Sequence, residues 1–411
     1  MKIKRFMCIL LTVTLSMTTL FLVPVNASAL DCEDSSFTSF AEKMLQNATM
    51  HLQNDLADTL NSIRLFKPLE DTYQQLTKSY IGGGYYTILL DDSRVSAYAI
   101  TFPFIYNNKI ISVYDVIIDT SGNVISGNYH NDGSFYERYK HEDGVYIVDG
   151  MYDSYILKCD NSLINTSYKI DDFTNTSSKT DICKIKKEFI NDNLGVDIEY
   201  ISNRKVTNAN QTALRYNSQF ISNLSKDTTV RSSTLSYNLS IPVIGQGNYF
   251  ICWAACIAMI RNYRFSQWTV TPSDIVNNSP VFPGSFNARN FSDIRDTIYP
   301  YFIGTLNTHY SSLTPSIVIS EIDSNSPLYL HTESASSTNN DIDDSLYHAV
   351  VGYGYYSSAT TDRLWIIDPF AEDHEGGYLS ITYNNSSRYG TYRLGGTANG
   401  GLMEVWYTIT Y

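Results

Sequence analysis

Residues 245–260 read Gly-Gln-Gly-Asn-Tyr-Phe-Ile-Cys-Trp-Ala-Ala-Cys-Ile-Ala-Met-Ile. A glycine-containing loop leads into a run rich in alanine, which favours a helix. Cys252 falls at the start of that run, where the unpaired amides and the dipole of a helix stabilise a thiolate. Cys252 is therefore a candidate nucleophile. Cys256 lies one turn deeper among apolar residues, and we expect it to be a buried core residue.

A cysteine nucleophile needs a base near its sulfur and a group that orients the base. The candidate base is His348, near the start of a β-prone run over residues 347–354. A second β-prone run, residues 364–370, carries Asp368 just before Pro369. Two strands with a connection of this kind can pair as antiparallel neighbours, which would place His348 and Asp368 side by side. Three other C-terminal histidines lack this context and receive no role: His309, His331 and His374.

In this order the residues resemble the papain-like cysteine peptidases. The resemblance is carried by Gln246, which lies six residues before Cys252-Trp253-Ala254, and by His348-Ala349-Val350 and Asp368-Pro369 downstream. The Asp-Pro pair differs from the Asn-Ser-Trp of papain itself and is closer to bacterial relatives, including leader-peptide-cleaving peptidases. Four motifs in family order are a specific signal, and the resemblance covers roughly residues 240–411.

The resemblance implies an α+β fold in which a central helix carries the cysteine and an antiparallel sheet carries the histidine and aspartate. Cys252 would attack a peptide carbonyl, His348 would transfer the proton, and Asp368 would orient His348. The Gln246 side chain and the Cys252 amide would form the oxyanion hole. The substrate is expected to be a peptide or protein, with no metal and no other cofactor. Trp253 is expected to pack in the core.

The region before this domain has a different composition. Residues 37–65 show apolar positions at helical spacing, and residues 85–157 contain short runs rich in Tyr, Ile, Val and Thr that turn signals separate. These patterns predict a helix followed by an antiparallel β-meander. Residues 206–238 are rich in Asn, Ser and Thr, as expected of a linker that is open to cleavage. We therefore interpret residues 30–205 as a propeptide that inhibits the catalytic domain, residues 239–411.

The first 29 residues have the features of a signal peptide. A basic start precedes an apolar run, and Ala27-Ser28-Ala29 supplies the small residues that signal peptidase accepts. No later segment approaches about 18 uninterrupted apolar residues. We expect a protein that is secreted to the extracellular space, with no membrane association after signal cleavage. The resemblance points to a bacterial source.

Five cysteines would remain after signal cleavage, so at least one thiol has no partner within the chain. Cys159 and Cys183 can close a short loop, although their pairing stays open. A cluster of Asp341, Asp343 and Asp344 lacks the ligand spacing of a known calcium loop, so we expect a solvated loop there.

Composition narrows the classes of partner. The chain has 411 residues, 42 of them acidic and 29 basic, and its formal net charge is −13. This balance argues against nucleic acids and anionic membrane surfaces as partners, because both reward Lys and Arg. A hydrophobic content of 43% with 17% charged residues indicates a globular protein.

Two alternatives to the peptidase stay open at this stage. The first is another Cys-His-Asp acyl-transfer enzyme, such as an amidase or a transglutaminase-like crosslinker, which would not need Gln246. The second is a secreted binding or adhesion protein with an inert papain-like domain. The Tyr-rich N-terminal sheet would then bind the partner, and it can equally be a permanent binding module on an active enzyme.

Overall fold

The computed structural model describes residues 35–91, 94–142, 144–150, 153–158, 162–167, 234–305, 307–310, 313–334, 347–383, 390–396 and 402–411. Several predicted features lie outside these residues, namely the signal peptide, most of the linker, Cys159 and Cys183, and the Asp341, Asp343 and Asp344 cluster.

The α-helices in the described part of the chain are α1 Ser35–Leu65, α2 Glu70–Leu76, α3 Ser134–Tyr139, α4 Cys252–Arg264, α5 Pro272–Asn277, α6 Phe291–Asp293, α7 Tyr299–Phe302, α8 Pro315–Asp323 and α9 Ala371–His374. A π-helical turn, Ile294–Ile298, joins α6 to α7, and 3₁₀ turns form at Lys67–Leu69 and Leu394–Gly396.

The described strands are β1 Tyr80–Ile81, β2 Tyr85–Asp91, β3 Arg94–Tyr106, β4 Lys109–Ile118, β5 Val124–His130, β6 Val145–Asp149, β7 Asp153–Leu157, β8 Leu163–Asn165, β9 Leu235–Asn238, β10 Asn307–Tyr310, β11 Leu328–Ser334, β12 Tyr347–Ser357, β13 Asp362–Asp368, β14 Gly377–Thr382, β15 Tyr392–Arg393 and β16 Leu402–Thr410. They form one sheet in the order β10-β16-β11-β12-β13-β14-β5-β4-β3-β2-β6-β7-β8. Strands β1, β9 and β15 pair with β3, β12 and β16 respectively.

Helix α1 covers the N-terminal part of the sheet. Its apolar side chains recur every three or four residues, and Met44, Leu52, Leu56 and Leu60 are all buried. This spacing places them on one face of a helix, and that face packs against β4 and β5. The predicted N-terminal helix is therefore present, because burial of this face stabilises it.

The N-terminal sheet differs from a simple antiparallel meander in one pairing. Strands β2 to β5 pair antiparallel in sequence order, but β6 lies parallel to β2 at the other edge. The chain between β5 and β6 includes α3 and is long enough to bring β6 beside β2. Such length is needed because a parallel pairing requires a connection longer than a hairpin turn.

Two further features concern the boundary between the predicted regions. Residues 235–238, which the sequence places in the linker, form β9 and pair antiparallel with β12. Strand β5 pairs with β14, with Leu379 opposite His130 and Ser380 opposite Tyr129. The N-terminal and C-terminal regions therefore share one continuous sheet.

The C-terminal region has the predicted α+β arrangement. Strand β12 is buried along nine consecutive residues, and helix α4 packs against it. Every residue of α4 from Cys252 to Ile260 is buried, so the helix lies inside the domain. Strands β12 and β13 pair antiparallel with Val351 opposite Ile367, which fixes where residues at their ends meet.

Candidate active site

Cys252 is the first residue of helix α4. Ile251 occupies the N-cap position without a side-chain hydrogen bond, so no side chain caps this end of the helix there. The first amides of a helix lack partners within it and carry partial positive charge. Cys252 forms no disulfide and is only 6% exposed. Its sulfur is thus a buried thiol at the positive end of a helix.

The structure brings His348 to Asp368. The Nε2 atom of His348 lies 2.7 Å from Oδ1 of Asp368, and both side chains are buried. Strand pairing explains the contact, because His348 stands near the start of β12 and Asp368 at the end of its antiparallel neighbour β13. Cys252 lies near the same imidazole, because interaction with its side chain contributes to raising the pKa of His348. Since Nε2 faces Asp368, Nδ1 is the ring nitrogen left for the sulfur.

Two backbone amides hold the Asp368 carboxylate in addition to His348. The Phe370 N–H donates to Oδ1 at 2.8 Å, and the Gly395 N–H donates to Oδ2 at 2.9 Å. Three donors therefore converge on a fully buried carboxylate. Hydrogen bonds of this kind fix the orientation of the carboxylate.

The surroundings of His348 change its acidity in two directions. Burial alone lowers the pKa, because desolvation disfavours the imidazolium. The Asp368 carboxylate and Cys252 outweigh that effect and raise the pKa of His348 to about 10. The arrangement therefore favours an imidazolium between a carboxylate and a sulfur.

Gln246 lies in the loop before α4 and is almost fully buried. Its backbone N–H donates to the Pro369 carbonyl at 3.0 Å, which ties the loop to the residue after Asp368. Its side-chain Nε2 donates to the Tyr249 carbonyl at 2.7 Å. An amide NH₂ carries two hydrogens, so one remains for another acceptor.

A glycine makes this loop possible. A Cβ at Gly245 would lie 1.9 Å from the backbone oxygen of His374, closer than any side chain tolerates. The loop that carries Gln246 therefore packs directly on the backbone after α9, and the Gly247 N–H also donates to the His374 carbonyl.

Several residues around His348 have no predicted role in the sequence. The Thr332 hydroxyl donates to the His348 carbonyl at 3.1 Å and lies 3.0 Å from the Tyr392 hydroxyl. The Phe370 ring lies edge-on to His348 and stacks on His374. His374, which received no role from the sequence, lies 3.0 Å from Asn248. No local sequence pattern predicts these contacts, because they join residues from separate loops and strands.

The remaining candidates take structural positions. Cys256 is fully buried, and desolvation raises the pKa of its thiol well above the ordinary value, so it is held as the neutral thiol. Trp253 is also fully buried, as expected, and its indole N–H donates to the Asn287 carbonyl at 3.0 Å. The ring of His331 is buried against Phe291, and its Nε2 lies 3.2 Å from Glu333.

Comparison with known families agrees with this geometry. Residues 238–395 match the model of the Peptidase_C39 like family. The matched range contains the loop of Gln246, helix α4 and the strands that carry His348 and Asp368. The C-terminal region has a papain-like cysteine peptidase fold. No curated protein sequence matches the chain.

Solved structures give weaker similarities to this chain. A Bacillus anthracis protein described as a C39-like peptidase shares 14% identity, with 37% of this chain and 99% of that chain covered and a TM-score of 0.25. Digestive procathepsin L 3 of Tenebrio molitor shares 13% identity, with 44% and 71% covered and a TM-score of 0.28. A mite allergen structure from a comparison of Blo t 1 and Der p 1 shares 13%, with 44% and 73% covered and a TM-score of 0.27.

The described residues offer neither a cluster of metal ligands nor a helix that could span a membrane. They contain no group of three or more His, Cys, Asp or Glu side chains placed to hold a metal ion. No helix among them is long and apolar enough to cross a membrane.

Proposed function

We propose that the protein is a cysteine endopeptidase that uses Cys252 as nucleophile, His348 as general acid and base, and Asp368 as the group that orients His348. The observation that carries this proposal is the contact series from the buried Asp368 carboxylate through the His348 ring to Cys252 at the start of helix α4. Nucleophile, base and orienting group are thereby within reach of one another.

The proposed reaction begins when the Cys252 thiolate attacks the carbonyl carbon of a peptide bond. The C–N bond then breaks as His348 gives its Nδ1 proton to the leaving amine nitrogen, which produces a thioester on Cys252. In the second half His348 takes a proton from water, the water oxygen attacks the thioester carbon, and the sulfur leaves as thiolate. Asp368 stabilises the imidazolium in both halves.

The oxyanion would be stabilised by two N–H groups. The Cys252 amide is the first of helix α4 and has no carbonyl one turn back within that helix. The second hydrogen of the Gln246 Nε2 group is the other donor that we assign. One donor of this kind contributes about 3 kcal/mol to transition-state stabilisation.

Export and processing form the second part of the proposal. Its support is the sequence of residues 1–29 and the polar linker over residues 206–238, where we place a cut made by the enzyme itself. Intact-mass analysis of secreted wild type beside Cys252→Ala tests both. We expect loss of residues 1–29 in each, and a cut within the linker only in the wild type. A linker cut of equal extent in Cys252→Ala would contradict self-processing.

Peptide hydrolysis and acyl transfer to another amine differ in their products. Incubation with a peptide substrate and a primary amine should give free carboxylate product under the proposed function. A dominant amide product would instead indicate a transglutaminase-like enzyme. Gln246→Ala adds a second distinction, because near wild-type peptide cleavage in that variant would remove the oxyanion role that we assign to Gln246.

A further inference from the structure

A short segment near the C-terminus, residues 391–395, contacts both halves of the molecule, and we call it the bridging segment. Its first residue is held by the N-terminal sheet. The Thr391 carbonyl accepts hydrogen bonds from the Ser126 hydroxyl at 2.6 Å and from the Asn128 side-chain amide at 2.7 Å. Ser126 and Asn128 both belong to β5, and both are buried.

Arg393 is the charged residue of the bridging segment, and it is fully buried. Its Nε lies 3.9 Å from Oδ2 of Asp115, and its Nη1 donates to the Thr87 hydroxyl at 3.3 Å. Asp115 and Thr87 belong to strands β4 and β2 of the N-terminal sheet. His130 also lies 3.2 Å from the Asp115 carboxylate. The charge of Arg393 is thus balanced from the N-terminal region.

The same segment contacts the residues that hold the proposed catalytic groups. The Tyr392 hydroxyl lies 3.0 Å from the hydroxyl of Thr332, which donates to the His348 carbonyl. The Gly395 N–H donates to Oδ2 of Asp368. Five consecutive residues therefore connect the N-terminal sheet to both His348 and Asp368.

We propose that the N-terminal sheet remains bound in the active enzyme and positions His348 and Asp368 through the bridging segment, with Arg393 as a positioning residue. This inference rests on the proposed peptidase function. On this proposal the N-terminal region is a permanent part of the enzyme and not a removable inhibitor. A cut in the linker would therefore not release it.

The buried contacts between the N-terminal and C-terminal regions support retention of the N-terminal region. Loss of the N-terminal region would leave Arg393 without Asp115, and Arg363 of β13 without Asp55 of α1, with which it forms a buried ion pair. Removing one partner of a buried pair is strongly destabilising, because the other charge stays in a low-dielectric interior. Strand β14 would also lose β5 and expose an unpaired edge.

The positioning role is tested with Arg393→Met, Arg393→Lys and the control Arg363→Met, each in the full chain. Arg363→Met breaks a comparable buried pair with the N-terminal region but lies at the far end of β13 from Asp368. Concentrations of active enzyme are set by titration with an irreversible thiol-directed inhibitor. The measurements are kcat and KM on one peptide substrate.

Arg393→Met should lower kcat by about 10- to 100-fold with little change in KM, the scale of a small misplacement of catalytic groups. Arg393→Lys keeps the charge and should recover most of the loss, while Arg363→Met should keep kcat within about twofold, since only folding stability changes. A wild-type kcat in Arg393→Met would overturn the positioning role. An equal kcat loss in Arg363→Met would do the same, because the effect would then be a general loss of packing.

Retention is tested separately, in the Cys252→Ala background, with a cleavage site for a foreign protease inserted between residues 207 and 233. After the cut, the N-terminal fragment should co-elute with the C-terminal fragment on gel filtration in native buffer. Separation of the two fragments would overturn retention. Because this test needs no activity, it stands apart from the proposed function, which fails instead if the wild type shows no Cys252-dependent peptide cleavage.

Discussion

Replacing Asp368 by Asn removes the charge from a carboxylate that receives three N–H groups, from His348, Phe370 and Gly395. The asparagine oxygen can accept from the first two donors in place of Oδ1. Its NH₂ group would then face the Gly395 N–H, so two donors would meet at a fully buried position. An unsatisfied buried polar group costs about 1–3 kcal/mol, and we expect the free energy of unfolding to fall by that amount.

The same substitution should change the pH dependence, and the sign follows from His348. Its pKa is raised from 6.5 to about 10 in the native state. The contribution of the His348 imidazolium to the free energy of unfolding is therefore fully present below pH 6.5, falls as the pH rises from 6.5 to about 10, and is lost above that pH. An imidazolium is needed for catalysis, so the alkaline limb of kcat/KM should lie near pH 10 in the wild type. Asp368→Asn should move that limb to lower pH.

The assay is a pH profile of kcat/KM together with urea unfolding, each compared with Asp362→Asn. Asp362 begins the same strand, is partly exposed, and accepts a hydrogen bond from the Ser357 hydroxyl. The control should lose less than about 1 kcal/mol and keep the wild-type pH profile. An unchanged alkaline limb in Asp368→Asn, or an equal shift in both variants, would contradict the role of Asp368 in raising the pKa of His348.

Three further predictions concern the contacts between the N-terminal and C-terminal regions and the loop that carries Gln246. Asp55→Ala should lower the free energy of unfolding, measured in urea, by about 3–5 kcal/mol, because Arg363 is left buried without its ionic partner. The double variant Asp55→Ala with Arg363→Met should recover most of that loss. An equal loss in the single and the double variant would count against a stabilising Asp55–Arg363 pair. Gly245→Ala should lower kcat/KM more than tenfold, since its Cβ would collide with the His374 carbonyl oxygen; unchanged kinetics would show that the loop tolerates the side chain. Gln246→Ala should lower kcat by about 100-fold or more, whereas a change in KM alone would indicate a role in substrate binding.

Local patterns in the sequence predicted much of the fold. Helix α1 followed from the spacing of Leu52, Leu56 and Leu60, because one buried face is enough to define a helix. The start of α4 at Cys252 followed from the loop and the alanine-rich run. The meeting of His348 and Asp368 followed from the hairpin-like spacing of their strands.

The contacts that connect distant parts of the chain had no such signal. Ser126 and Thr391 are 265 residues apart in sequence, and nothing near either residue indicates the other. The pairing of β5 with β14 joins strands that lie far apart in the sequence, so no local pattern indicates it. Gly395 contributes a backbone amide to Asp368, and a backbone group leaves no side-chain pattern to detect.

These distant contacts also change how the N-terminal region is understood. Its composition and the linker behind it favoured a propeptide. The continuous sheet and the buried Arg393 and Arg363 support our proposal of a region on which the proposed catalytic residues depend, and the propeptide stays a prediction. Cleavage of the linker and retention of the N-terminal region are compatible, because the contacts of Arg393, Arg363 and β14 join the two regions without a covalent link.

The most direct test of the peptidase proposal compares Cys252→Ala with Cys256→Ala on a fluorogenic peptide substrate. The two cysteines lie one turn apart on helix α4, and both are buried. Of the two cysteines, Cys252 interacts with the His348 side chain and raises its pKa, whereas burial raises the pKa of the Cys256 thiol well above its ordinary value. We predict that Cys252→Ala abolishes peptide cleavage while Cys256→Ala retains it. Undiminished cleavage in Cys252→Ala would contradict the account.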